Sequence, residues 1–383
     1  MARYLEGLER HRAGRLSVIA AAELLGISER HFRRLRDRYE AEGAEGLIDR
    51  RRGRASGRRV AADRIEWVIE QYRTRYFDFT VKHFHEALVA EHGFDLSYTW
   101  TKGILQQRGL VRAAPKRSAH RKKRPRRPLP GMLLFQDGSP YEWLVGQPPL
   151  DLIVTMDDAT SEIYSMFLVE EEGTASSLRG LTETIAAKGL FCSFYTDRGS
   201  HYFHTQKAGE AVDKSRLTQV GRALAELGIE HIPSYSPEAR GRMERMFGTL
   251  QGRLPPILRL KRIATIEAAN RFLAETYMAE HNARFAVPAS EEGHAFVPFL
   301  GNLADILCLK HKRVVGNDNC VRYEGRVLQL TEQRHRRHFV KASVTVHEYP
   351  DAALAVFHGP RRLADYAADG TLVTQEAPTR SAA

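Results

Sequence analysis

The sequence predicts a multidomain α and α/β protein: N-terminal helical units, a core of helices on a mixed five-stranded sheet, and a small C-terminal β-barrel-like domain. Three observations carry that prediction. Apolar residues recur at helical spacing up to about residue 112, apolar strand-like runs alternate with helical stretches from residue 131, and short β-like runs separated by turn residues follow Leu309. At 383 residues the chain is too long for one ordinary domain, and each of several modules can bury its own core.

The first unit, residues 1–58, contains Ala20 to Leu35, which reads as helix, tight turn, helix. Gly26 permits the turn and Ser28 caps the second helix by accepting a bond from an orphan N–H. Phe32, Leu35 and Tyr39 are expected to pack against Leu24 and Ile27, leaving Arg30, His31, Arg33 and Arg34 outward. An outward basic second helix is what a helix-turn-helix places in the major groove of DNA. A second helical unit, residues 59–112, repeats the pattern: Phe84 and Leu88, a turn at Gly93, a cap at Ser97, and Trp100 and Ile104 on one face. His83 and His85 are two apart on that helix and point to different faces, which argues against a metal role.

A basic linker, residues 113–130, divides the chain. From Arg112 to Arg127 there are nine Lys or Arg, among them Lys122, Lys123 and Arg124, with no acid. Such charge density, broken by Pro115, Pro125, Pro128 and Pro130, predicts an extended segment without a core of its own. It contributes sequence-independent affinity for a polyanion.

In residues 131–300 the strand Met132 to Phe135 delivers Asp137, and a strand, polar turn and strand across Leu152 to Tyr164 complete an antiparallel meander. Leu178, Leu181 and Ile185 predict a helix over Thr174 to Lys188 that ends at Gly189 and leads into the strand Leu190 to Tyr195, which delivers Asp197. A helix from Ser215 to Leu227 and a short strand, Ile229 to Pro233, follow. Ser236 as cap with Pro237 in the first turn then starts a helix that carries Glu244 about two turns in. Residues 301–355 hold the β-like runs Arg313 to Val315, Cys320 to Tyr323, Arg326 to Leu330 and Ser343 to His347, and residues 356–383 read as a tail.

Lys and Arg outnumber Asp and Glu by 58 to 47, a net charge of +11, which points to a large anionic partner, nucleic acid first. No run of 18 apolar residues exists, and Arg3, Glu6, Glu9 and Arg10 occupy the place of a secretory apolar core, so no membrane partner and a cytoplasmic location are expected. Cys192, Cys308 and Cys320 lack C-x-x-C spacing and support neither a disulfide framework nor a cysteine zinc site.

The order β-β-β-α-β-α-β-α, with Gln136-Asp137-Gly138, Tyr195-Thr196-Asp197-Arg198-Gly199 and Gly241-Arg242-Met243-Glu244, resembles the retroviral-integrase-like, RNase H-like catalytic core. The match is to bacterial insertion-sequence transposases of the ISNCY type, through the helix-turn-helix, the core to Gln251, and more loosely Asn282 to Phe285. The resemblance implies a DDE enzyme in which Asp137, Asp197 and Glu244 hold two Mg2+ ions, with Mn2+ able to substitute. It also implies double-stranded DNA partners, element ends and target, a homodimer or higher oligomer on DNA, and a nucleoid-associated place in a bacterium. The chemistry supports such a set independently: displacement at a phosphodiester uses one metal at the attacking oxygen and one at the leaving oxygen, about 3.5 to 4 Å apart. Magnesium takes oxygen ligands, so several carboxylates must converge.

Each acid has a competitor. Asp157 and Asp158 rival Asp137 but fall at a strand-turn junction, where Asp caps turns. Glu238 rivals Glu244 but suits the helix dipole in a first turn. Arg240, Arg242 and Arg245 surround Glu244 and suit DNA phosphates, Arg240 and Arg245 foremost. Pro255-Pro256 is expected to end or kink the core, and Phe203 to Thr218 reads as an inserted loop. Two other functions remain open on the residues alone: a non-catalytic DNA-binding regulator, and an RNase H-like nuclease without strand transfer.

Overall fold

The computed structural model describes residues 2–49, 59–113, 124–205, 212–213, 215–235, 237–333 and 336–373, with only the backbone described at 237–240. The chain divides into two compact units, Met1–Glu70 and Gln71–Ala383.

The first unit begins with α1 (Ala2–Arg12), α2 (Val18–Leu25) and α3 (Glu29–Glu42). Gly26 ends α2 at φ 65°, where a side chain would be strained, and its N–H reaches back to the carbonyls of Ala22 and Glu23. Ser28 Oγ accepts from His31 N at 3.3 Å and starts α3 as the sequence predicts. Phe32 packs with Leu8, Ala21 and Ala22, with Leu25, Ile27 and Tyr39 at the margin. Leu24, expected in this core, is instead 42% exposed, because the stripe that faces α3 runs through Ala21, Ala22 and Leu25.

The second unit takes in the end of α4 (Ala62–Thr74), then α5 (Val81–His92) and α6 (Tyr98–Gln107). Thr80 and Ser97 cap the two helices by accepting from His83 N and Trp100 N. Phe84 and Leu88 are fully buried, but on α6 the buried pair is Thr101 and Leu105, with Trp100 and Ile104 only half-buried.

The central sheet is built from β1 (Leu134–Tyr141), β2 (Leu150–Asp157), β3 (Ile163–Val169) and β4 (Ser193–Thr196). After a two-stranded ribbon, β5 (His204–Thr205) and β6 (Val212–Asp213), it is completed by β7 (Glu230–Pro233). The order is β3-β2-β1-β4-β7, with β1, β2 and β3 antiparallel and β1, β4 and β7 parallel, which is the expected RNase H-like sheet. Strand alternation sends Leu133 and Phe135 to one face and Leu134 to the other. On the Leu134 face lie α7 (Thr174–Lys188) and α8 (Gln219–Glu226). Helix α8 starts four residues later than the sequence suggested, because Thr218 rather than a residue near Ser215 supplies the cap, accepting from Gly221 N at 3.1 Å.

On the Phe135 face lie α9 (Pro237–Gln251), α10 (Leu254–Leu260), α11 (Ile266–Phe272) and α12 (Met278–Phe285). The prolines do not end the core: they sit in the first turn of α10, where a missing N–H is harmless, and Leu254, Pro255, Pro256 and Leu258 are all buried. Between α11 and α12, Leu273–Tyr277 forms a π turn. Asn270 and Asn282 each make paired bonds to the backbone of β3, at Leu168 and Ile163, and so satisfy this edge strand. Twelve α-helical residues would place them about 120° apart, and one residue absorbed in the π turn brings them to within about 20°.

The last domain contains β8 (Leu309–Val314), the hairpin β9 (Cys320–Tyr323) and β10 (Arg326–Gln329), and β11 (Ser343–Glu348). The segment expected as a tail supplies three further strands, β12 (Leu354–His358), β13 (Arg361–Tyr366) and β14 (Leu372–Val373). They form an antiparallel sheet, β14-β13-β12-β11-β8, closed over a shared apolar core with the hairpin. Val356, Leu363 and Tyr366 are buried there, so residues 356–373 are structural. Among the described residues no helix is long and apolar enough to cross a membrane.

Candidate active site

Strand β1 is the middle of the sheet, and its alternation assigns each residue of the Gln136-Asp137-Gly138 motif a side. Gln136 faces α7: its Nε2 donates to Thr155 Oγ1 at 2.9 Å, and its Oε1 accepts from Tyr202 Oη at 2.9 Å. Gly180 allows α7 to come this close, since a Cβ there would collide with Gln136 Nε2. Asp137 shares parity with Phe135 and Ser139 and therefore belongs to the α9 side; it is half-buried.

Asp197 follows β4 directly. The parallel register pairs Leu134 with Phe194 and Phe135 with Tyr195, whose rings lie 5.3 Å apart. The pairing of these two strands ends there; two residues further along stand Asp137, still inside β1, and Asp197, one residue past the end of β4. The Asp197 carboxylate accepts from Gly199 N at 2.8 Å, which fixes the turn after the strand. Tyr202 reports on both acids. Its fully buried hydroxyl is pushed well above its ordinary pKa by burial first, and also by the negative charges of Glu172, Asp197 and Asp137.

Helix α9 is held alongside β1 at two points. Near its start, Arg242 donates to the buried Asp158, whose N–H bonds Leu133 O just before β1. At its end, Gln251 Nε2 donates to Ser139 Oγ at 3.1 Å near the end of β1. The helix thus runs in the direction of β1, with Met243, Met246, Phe247 and Leu250 in the core. Glu244 lies between the two anchors on the stripe of Gln251, seven residues apart, and is exposed. Asp137 thus stands in the middle of β1, Asp197 just past the end of β4, and Glu244 on the helix packed along β1. Among the described residues, no three His, Cys, Asp or Glu side chains converge closely enough to hold a metal ion.

The competitors have other work. Asp157 is buried and accepts from Gly131 N, Thr160 N and Thr160 Oγ1, holding the turn between β2 and β3. Burial raises its pKa, and the backbone bonds from Gly131 and Thr160 oppose the rise. Asp158 accepts from Arg127 N at 2.8 Å and from the guanidiniums of Arg124 and Arg242. The Glu238 side chain lies outside the described residues.

Of the basic residues singled out in the sequence, Arg30, His31, Arg33 and Arg34 are all exposed on α3, with Arg33 paired to Glu29 at 2.9 Å. Lys122, Lys123 and the Arg240 side chain lie outside the described residues. Arg124 is turned inward onto Asp158, while Arg245 is exposed and its Nε donates to Gly241 O at 2.9 Å. The sequence reading missed Glu172, His201 and Tyr202. Glu172 Oε1 lies 3.5 Å from His201 Nε2 and 3.4 Å from Tyr202 Oη, and a Cβ on Gly138 would collide with its carboxylate. The only sequence signal was position: Glu172 stands two residues before α7, and His201 and Tyr202 follow Asp197 within five residues.

A winged helix-turn helix family matches residues 5–66 of the chain. A putative transposase, y4bF, of Sinorhizobium fredii (strain NBRC 101917 / NGR234) is 32% identical over 358 residues, covering 92% of this chain and 77% of the relative. The transposase for insertion sequence IS1202 of Streptococcus pneumoniae is 26% identical over 353 residues, covering 83% of this chain and 75% of its own. Among solved structures, the simian T-cell lymphotropic virus intasome in complex with a PP2A regulatory subunit matches with a TM-score of 0.34 at 15% identity, over 76% of this chain and 95% of that one. The HTLV-2 integrase catalytic core domain in complex with magnesium matches with a TM-score of 0.29 at 15% identity, over 39% of this chain and 88% of that one.

Proposed function

Because the chain belongs to the insertion-sequence transposase family, we propose that it is a DDE polynucleotidyl transferase that cuts element ends and joins them to target DNA, using Asp137, Asp197 and Glu244. The observation that supports this reading is the pairing of Leu134 with Phe194 and Phe135 with Tyr195, which puts Asp137 inside β1 and Asp197 directly after the neighbouring parallel strand β4, with Glu244 on a helix packed against β1. The donors are all carboxylate oxygens, the set that Mg2+ or Mn2+ accepts. Two such ions, when bound, would lower the pKa of an attacking hydroxyl and stabilise the departing oxygen. The residues of the chain do the rest. Gly199 N–H fixes the Asp197 carboxylate, the bonds of Arg242 and Gln251 set the position of α9 along β1, and the closed Tyr202–Gln136 contact keeps water from the far side of β1.

The exposed helix α3, with Arg30, His31, Arg33 and Arg34, suits the major groove of double-stranded DNA, and Arg240 and Arg245, both on α9, are residue types that suit backbone phosphates. Synapsis of two element ends calls for a homodimer or higher oligomer. The lack of three converging His, Cys, Asp or Glu side chains among the described residues keeps one alternative, a DNA-binding regulator that has kept the fold without the activity. Incubation of a labelled element-end duplex with Mg2+ separates the readings: wild type nicks and joins, and Asp197→Asn binds equally but does neither. Cleavage that survives in Asp197→Asn overturns the assignment, and cleavage without joining indicates a nuclease.

A further inference from the structure

The arginines around the start of α9 outnumber the carboxylate they share. Arg124 and Arg242 both donate to Asp158. Arg126 Nη1 bonds only neutral oxygens there, the carbonyls of Asp158 at 2.8 Å and Ala159 at 3.2 Å and Ser161 Oγ at 2.8 Å. Arg245, as noted, donates to a carbonyl. Among the described residues, three guanidiniums thus cluster at Asp158, two of them on its carboxylate, and Arg245 lines the same cleft. Burial lowers the pKa of Arg242; Asp158 opposes that, while Arg124 and Arg126 add to it, as crowded cations must.

This positive surplus faces a cleft of about 210 Å3 lined by Arg126, Arg242, Arg245, Ser161, Thr249 and His281. His281 is only 4% exposed, and its Nδ1 is buried without a hydrogen-bond partner. Its pKa is lowered to about 4 by burial and then by Arg253, so the imidazole is neutral at physiological pH. A neutral ring in a cationic cleft adds a hydrogen-bonding group without further repulsion. Guanidinium forks from two segments, with hydroxyls and an imidazole, match a tetrahedral oxyanion with several acceptor oxygens.

The cleft lies on a defined side of α9. Arg242, Arg245, Met246 and Thr249 form one stripe, and at about 100° per residue Glu244 is about 200° from Arg242, on the opposite flank. Across a helix of about 10–12 Å, that offset corresponds to about three steps of a DNA strand rising about 3.4 Å each. We infer that this cleft is a phosphodiester-binding site, in which Arg126, Arg242 and Arg245 hold one backbone phosphate of the DNA about three nucleotides from the carboxylates. The identity of the polymer rests on the proposed function; the oxyanion chemistry of the cleft does not.

The test uses the full chain, a short fluorescein-labelled duplex of arbitrary sequence, and no divalent metal, with Kd measured across NaCl concentrations. Loss of one phosphate contact lowers the slope of log K against log salt by about 0.9. That loss is expected in Arg126→Gln and in Arg245→Gln, with the double variant close to either single one because both hold the same phosphate. Arg245→Lys retains most of the slope, and Arg271→Gln, which removes an exposed charge on α11, leaves it at the wild-type value. A wild-type slope in the double variant overturns the site, as does an equal loss in Arg271→Gln or a double variant that loses twice as much. Since binding is read without metal, a protein that shows this pattern but never cuts DNA keeps the cleft and loses the catalytic reading, and the converse result does the reverse.

Discussion

Replacing Arg242 with Met keeps most of the side-chain volume and removes the bond that ties α9 to the turn after β2. Asp158 is fully buried, and the Arg242 side chain is 10% exposed. The pair is thus in the regime where stranding one partner costs about 3–5 kcal/mol. Two contacts reduce that figure, because Asp158 keeps Arg124 and the Arg127 N–H. What disappears is one charge-assisted bond, worth about 1.5–3 kcal/mol, and the neighbouring bond from Arg242 to Arg124 O at 2.5 Å, worth about 1 kcal/mol. The sum is about 2.5–4 kcal/mol of destabilisation. Urea unfolding followed through Trp143, which is fully buried beneath β1 and β2, reads the loss. The double variant, Arg242→Met with Asp158→Asn, is expected to be less destabilised than the sum of the single variants by about 1–3 kcal/mol, since each single substitution already removes the bond between the two residues. A loss below about 0.5 kcal/mol for Arg242→Met, the range of inert surface substitutions, refutes the claim that this ion pair fixes α9.

Three further outcomes follow from buried groups. Tyr202→Phe leaves Gln136 Oε1 without its 2.9 Å donor and is expected to lower stability by about 1–3 kcal/mol; an unchanged urea midpoint contradicts that contact. Gly180→Ala drives a methyl into Gln136 Nε2 and is expected to cost about 1–3 kcal/mol, which calorimetry would register as a lower melting temperature. His83, His231, His281 and His347 are buried with pKa values lowered to about 4, by desolvation first in each case. Their folded pKa values lie below the unfolded 6.5, so the stability they contribute is present above pH 6.5 and is lost as pH falls from there toward 4. The urea midpoint should decline across that window; a flat profile would show that these rings are protonated in the native state.

Much of the core was legible because its signals were local. An apolar run ending in an acid marks a strand end, Gly26 and Gly189 mark helix stops, and Ser28 and Thr174 stand where the helices begin. The order of strands and helices followed from those signals alone. Less legible was whatever depended on partners distant in sequence. Arg124 read as a free cation in a basic run, yet it folds back onto Asp158, because one buried carboxylate there requires compensation. Residues 356–373 read as a tail because short strands with charged Arg361, Arg362 and Asp365 look solvated until Leu363 and Tyr366 meet the core of the last domain. Pro255 and Pro256 signalled a break correctly but not its consequence, since a proline pair serves equally well as the first turn of a new buried helix. Glu172 and His201 escaped notice because nothing in their spacing shows that the α7 face of β1 brings them beside Asp197 and Gly138. The sequence read Asp137 as following its apolar strand, yet β1 continues through it to Tyr141, because its polar second half still pairs with β2, whereas Asp197 does follow β4.

Glu244, the exposed member of the set, must act with the two aspartates if the site is catalytic. The most direct measurement is joining of a pre-cut, labelled element end to plasmid DNA in Mg2+, comparing wild type with Asp137→Asn, Asp197→Asn and Glu244→Gln at matched DNA occupancy. Joining by wild type, with its loss in all three variants, is the expected result. Undiminished joining by Glu244→Gln would contradict the assignment of the third acid, and undiminished joining by either aspartate variant would contradict the site itself.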